Sequence, residues 1–207
     1  SLSSFSILTA FMAEPITKRQ LKEIPVIPYE KVRDYLKTGY IFFSSGSYTF
    51  SGIIQKLTKS VWSHVAIIYK DETLGRVMVL EAEPYVGIRL IPLSKYLRDY
   101  KDKRRCYKGQ IVISKLTFEL EQAKLNKAIS FGLDELARPY DNWEIIRIMM
   151  RILFRIGKRE KNKNYICSEL VRDAFAKAGV IFKYNDTYIS PQEIWKDERV
   201  EMKYRIL

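Results

Sequence analysis

The sequence predicts an α+β fold, on two observations: short β-rich runs succeed one another through most of the first half, and helical periods set apart from them dominate the second half. Glycine and proline are scarce, with 9 and 7 among 207 residues, and no period repeats, which argues against solenoids and fibres. Residues 17–38 read as short helical pieces broken by "IPVIP", and "YEKVRDYLKTG" reads as a helix ending at Gly39. "GYIFFSSGS" is an apolar strand running into a turn. "YTFSGIIQKLT" places Phe50, Ile53, Ile54 and Leu57 on one helical face. "SHVAIIY" and "RVMVLEA" flank "KDETLG", a hairpin signal, and "VGIRLIPL" extends the sheet. "SKYLRDY" looks helical, and "RCYKGQIVISKL" returns to strand. "TFELEQAKLNKAISFGLDELA" then carries Leu120, Ala123, Leu125, Ala128 and Ile129 near helical spacing, until "RPYDNW" breaks it. "EIIRIMMRILFRIGK" and "SELVRDAFAKAG" are two more helices. "SPQEIWKD" starts another, with Ser190 as N-cap and Pro191 in the first turn, and "VEMKYRI" supplies a last strand.

Composition narrows the function classes. Hydrophobic residues make up 47% and charged residues 29%, an ordinary globular balance. The formal charge of +12 attracts polyanions: nucleic acid, anionic lipid or an anionic polymer. One histidine and two distant cysteines, Cys106 and Cys167, fit no common zinc spacing and make no disulfide framework, so no metal is expected. No apolar run approaches the ~20 residues of a spanning helix. The first fifteen residues are mildly apolar but lack the basic leader of a signal peptide. The expectation is a cytoplasmic or membrane-associated protein rather than a secreted one, the alternative being that residues 1–16 are a trimmed export signal.

The chemistry concentrates in "NYICSELVRDAFAKAGV". Cys167 opens an amphipathic helix, where unsatisfied N–H groups and the positive end of the dipole favour a thiolate and can hold a developing oxyanion. The competing reading is a small buried residue at a helix–sheet junction. His64, the sole histidine, begins "SHVAIIY", where it is either a hydrogen-bonded core residue or a base. Glu81 follows four apolar residues in "VMVLEAEP", an odd place for a charge without a partner. A hairpin turning near 71–75 makes His64 and Glu81 cross-strand neighbours. Glu83 is the rival on the same face, but beside Pro84 it reads as the exposed strand end.

The ordered series "GYIFFSSGSYTFSGIIQKLTKSVWSHVAIIY", "VMVLEAEPYVGIRLIPLSKYL", "ARPYDNW" and "NYICSELVRDAFAKAG" resembles the circularly permuted NlpC-type cysteine peptidases, the YiiX-like branch of papain-like amidases. In this branch the histidine strand precedes the cysteine helix. The resemblance spans roughly residues 37–195. It implies a papain-like antiparallel sheet packed against helices, with a catalytic domain over 37–207 and a helical extension over 1–36. It also implies Cys167 as nucleophile, His64 as base, Glu81 as the third member and Tyr165 as a substrate or oxyanion ligand; packing against the sheet is the other reading of Tyr165. Tyr140 and Asp141 read as structural. One departure is Tyr40, where the family commonly carries an acid.

In "EIIRIMMRILFRIGKREKNKN", Arg147, Arg151 and Arg155 recur every four residues on an otherwise apolar segment. The bland reading is a core helix with a thin solvated face; the sharper one is an interfacial helix or the wall of a lipid-sized pocket, holding lipid or anions. The combined expectation is a cofactor-free cysteine hydrolase cleaving an amide through an acyl-enzyme. Its substrate would be a small peptide, an amino-acid amide or an acyl lipid, and an anionic membrane surface is a further partner. Nucleic acid is not expected, since no recognised module appears. The alternatives are a lipid-directed acyl hydrolase or acyltransferase, and a non-catalytic membrane-surface binding protein on the same scaffold.

Overall fold

The computed structural model describes residues 16–46, 60–83, 86–137, 167–183 and 189–207. The helices expected at 48–58 and 144–158, and the turn at 138–143, lie outside these residues. The described elements are α1 (Lys18–Glu23), β1 (Val26–Ile27), α2 (Tyr29–Val32), β2 (Ile41–Gly46), β3 (His64–Asp71), β4 (Arg76–Glu83), β5 (Gly87–Pro92), α3 (Leu93–Arg98), β6 (Gly109–Leu116), α4 (Gln122–Asp134), α5 (Cys167–Lys177), α6 (Pro191–Trp195) and β7 (Val200–Ile206).

The strands form one seven-stranded sheet in the order β1-β7-β6-β2-β3-β4-β5. Every pairing is antiparallel except β1 with β7. Alternation along each strand divides the apolar side chains between two faces. Ile41, Phe43, Val65, Ile67, Leu80 and Val112 join Ala128 and Ile129 of α4 and Leu170, Val171, Ala174 and Phe175 of α5 in one core. Phe42, Ala66, Ile68, Val77, Val79 and Ile113 join Tyr29 and Val32 of α2 and Leu93, Tyr96 and Leu97 of α3 in the other. A sheet covered on both faces explains why its central strands read as nearly continuous apolar runs. Each of the large fully buried side chains contributes about 1.5–3 kcal/mol by leaving water.

Local chemistry sets the boundaries. Thr17 caps α1 through Gln20, and Ser190 caps α6 through Glu193, each with the reciprocal bonds of a capping box. At the β3–β4 turn, Asp71 Oδ1 accepts from the backbone of Thr73 and Leu74 at 2.9 and 3.0 Å, and Gly75 supplies φ +58°.

Two expectations change. The helix expected to run to Gly39 stops early: α2 tightens into a 3-10 turn over Arg33–Tyr35, and the fully buried Leu36 is already extended. Gly39, at φ +87°, turns the chain into β2 and donates its N–H to Ile68 O. "IPVIP", expected only as a break, contains β1, which adds to the sheet edge beside β7. Ile16 and Leu21 pack into the first core.

Candidate active site

The site forms where the start of β3 meets the start of α5. The β2–β3 ladder pairs Ser44 with His64 and fixes where β3 begins. His64 lies on the face of Ala66 and Ile68, with Phe42 edge-on at 6.3 Å between ring centroids. α5 packs on the opposite face. Its apolar stripe, Leu170, Val171, Ala174 and Phe175, anchors it there. The Ser168 hydroxyl donates to Ile189 O, tying the first turn of α5 to the entry of α6. This brings Cys167, the first residue of α5 and a half-buried free thiol, to the side of His64, where it favours the protonated imidazole. The imidazole is therefore approached by a thiol from one layer and by a carboxylate from the other.

That carboxylate is Glu81, which is fully buried. His64 Nε2 lies 2.6 Å from Glu81 Oε2. The Tyr96 hydroxyl, from α3, donates to the same oxygen. Arg89, directly opposite on β5, donates Nε–H to Oε1 at 2.8 Å. Its Nη2 lies 2.7 Å from Oε1 without hydrogen-bond alignment, and 3.7 Å from Glu83 Oε2. Lys101, whose backbone takes the left-handed φ of +56°, pairs with Glu83 at 3.0 Å.

The electrostatics follow from these contacts. Burial works against a charged Glu81, but His64, Arg89 and Tyr96 outweigh it and hold the carboxyl down to about 2. Burial likewise disfavours a charged His64, yet its contacts with Cys167 and Glu81 raise the imidazole well above its ordinary range. Burial and the Glu81 charge push Tyr96 far up, so it remains an O–H donor. An ionised carboxylate only accepts, so Nε2 must carry the proton toward Glu81, which leaves Nδ1 for the thiol.

The structure thus brings together Cys167, His64 and Glu81. The register corrects how Glu81 gets there. Pairing of β3 with β4 runs from Ile67↔Leu80 to Asp71↔Arg76. Continued, it would place Glu83 opposite His64 and Glu81 opposite Ala66, so the His64–Glu81 contact is diagonal. Glu83 is not an exposed strand end either, but a partly buried partner of Arg89 and Lys101. Sequence reasoning missed Arg89 and Tyr96. An arginine inside the apolar strand "GIRLIP", one hairpin away from a buried acid, was the available signal for Arg89; one tyrosine among 14 gave none for Tyr96. Tyr165, Arg147, Arg151, Arg155, Tyr140 and Asp141 lie outside the described residues.

Comparison with known proteins agrees with this architecture. No curated protein matches the chain. Among solved structures, it is similar to the crystal structure of metalloprotein yiiX from Escherichia coli O157:H7, DUF1105. That match has a TM-score of 0.60 at 18% identity and covers 82% of this chain and 97% of that one. At this identity the match speaks for the fold alone. The family model for the permuted papain-like amidase enzymes, YaeF/YiiX, C92 family, matches residues 35–202. With that span covering most of the molecule, and with the histidine strand ahead of the cysteine helix, the chain belongs to the permuted papain-like amidase family C92.

Proposed function

We propose that the protein is a cysteine-dependent hydrolase that cleaves an amide bond through Cys167, His64 and Glu81. The observation that carries this reading is an imidazole bonded to a buried carboxylate, with the thiol at the start of α5 beside it favouring its protonated form. His64 Nδ1 accepts the Sγ proton, and the sulfur attacks the substrate carbonyl carbon. Backbone N–H groups in the first turn of α5 would face the resulting oxyanion. His64 then returns the proton to the leaving amine, the C–N bond breaks, and a thioester remains. Water, deprotonated by the same nitrogen, releases the acid product. Glu81 keeps the Nε2–H tautomer throughout. The substrate class that fits is a small peptide or amino-acid amide.

The yiiX structure is that of a metalloprotein, so a metal deserves a test against these residues. His64, Glu81 and Glu83 offer ligand atoms within 4.8 Å of one another. Both carboxylates, however, are already engaged by fixed cations, Arg89 and Lys101, and Glu81 spends both oxygens on His64, Tyr96 and Arg89. A divalent ion would have to displace these partners against their charge. The trio does not fit a metal centre, and no step is routed through one.

Thiol labelling tests the reading. On exposure alone, Cys106 should react first, because it is exposed and Cys167 is half-buried. If the site activates its thiol, iodoacetamide labels Cys167 faster, His64→Ala removes that advantage, and Cys167→Ala abolishes hydrolysis across a panel of amino-acid amides. Faster labelling of Cys106 in the wild type would refute the activated nucleophile.

A further inference from the structure

The proposed reaction uses His64, Cys167 and Glu81, but a further set of polar contacts lies behind them. Glu81 receives Arg89 on Oε1 and Tyr96 on Oε2, the same oxygen that faces His64. A carboxylate with no donor other than the imidazole would hold the imidazole proton with its full charge. Each further donor withdraws part of that charge, and a cation withdraws most.

We propose that Arg89 and Tyr96 are positioning residues that reduce the charge Glu81 presents to the imidazole at Nε2, so that the doubly protonated ring is held less tightly and Nδ1 can release its proton to a leaving group. This rests on the amidase reading, in which His64 must both take and return a proton. Charge balance favours it: Arg89 lies directly across the ladder from Glu81, and its second anionic neighbour, Glu83, is offset by Lys101. The geometry favours it too, because Tyr96 stands in α3 between Leu93 and Leu97, and its ring packs on Phe42 at 5.0 Å and Tyr100 at 5.2 Å, which fixes its hydroxyl. Among the described residues, the titratable or charged groups gathered at His64 are Cys167 from α5, Glu81 and Glu83 from β4, Arg89 from β5, Tyr96 from α3 and Lys101 beyond it. Of these, only Arg89 and Tyr96 donate to Glu81 besides His64 itself.

The single histidine makes the test direct, because all imidazole NMR signals come from His64 and their pH midpoint can be followed in the whole chain. Arg89→Gln and Tyr96→Phe should each raise that midpoint, Arg89→Gln by about half a pH unit or more, and Arg89→Lys should return it most of the way. A structural role alone would leave the midpoint unmoved in any variant that folds. Tyr96→Phe removes one oxygen atom and carries the test should Arg89→Gln not fold. Glu81→Gln is the control and should lower the midpoint. If it does so while neither Arg89→Gln nor Tyr96→Phe raises it, the inference is overturned and the amidase reading stands. If Glu81→Gln leaves the midpoint unchanged, the His64–Glu81 pairing fails, and both ideas with it.

Discussion

Glu81 bears the largest consequences of any single side chain. Replacing it with Gln keeps the volume and one acceptor but removes the charge that matches His64 and Arg89. The expected result is a folded protein, less stable by about 1–3 kcal/mol because buried donors lose their partner. Amide hydrolysis should fall by about 10²-fold or more. Glu83→Gln should be hard to distinguish from wild type in turnover. The pH dependence has a defined sign. The Glu81 carboxyl is depressed from 4.5 to about 2, so its contribution is fully present above 4.5 and is lost as pH falls through about 2. His64 is raised above 6.5, so its contribution is present below 6.5 and disappears as pH rises through its folded value. Urea unfolding of wild type and Glu81→Gln should therefore converge as pH falls from 4.5 toward 2. A stability gap that stays constant over that interval would remove Glu81 from the linkage. Cys167, His64 and Glu81 were legible because each residue type is conspicuous in its place: a cysteine opening an amphipathic helix, one histidine, and an acid after four apolar residues. The diagonal contact was not legible, because a register is set by the turn and ladder together rather than by the hairpin signal alone.

At the scale of elements, the strand runs and the Ser190 cap were readable, and pairing between distant segments was not. The capping box at Ser190 is written in four residues, so α6 could be read locally. β1 has two residues, and its existence depends on β7, about 180 positions away, to which no local pattern refers. The same holds for glycines that serve close approach. Gly109 begins β6 opposite Gly46, and a Cβ built on it would lie 1.9 Å from Ser45 O and 2.5 Å from the Tyr107 ring. Backbone cannot yield there as a side-chain tip can. Gly109→Ala should cost about 1–3 kcal/mol or more and separate the ends of β2 and β6. Because β2 also pairs Ser44 with His64, that separation should reach the site. The expected outcome is a lowered melting temperature together with slower iodoacetamide labelling of Cys167. A variant as stable as wild type would show that the approach at Gly109 is loose.

Across the whole molecule, the net charge of +12 is the property that the site itself does not use. No described helix is long and apolar enough to cross a membrane. A surface carrying so many cations still favours anionic interfaces, with each basic residue near such a surface contributing about 1 kcal/mol within a Debye length. The segment 144–163, with Arg147, Arg151 and Arg155 among isoleucines and methionines, is the part of the sequence best suited to combine that attraction with apolar contact. The prediction is salt-sensitive co-sedimentation with vesicles containing phosphatidylserine and none with neutral vesicles. Changing Arg147, Arg151 and Arg155 together to Gln should cut retention by at least tenfold, since roughly 1.4 kcal/mol corresponds to each factor of ten and three charges are removed. Retention that survives the triple change would assign the attraction to the net charge as a whole and leave the segment to the core. Failure to bind anionic vesicles even at low salt would confine the proposed amidase to soluble amides, because an acyl-lipid substrate requires the protein to reach an interface at all.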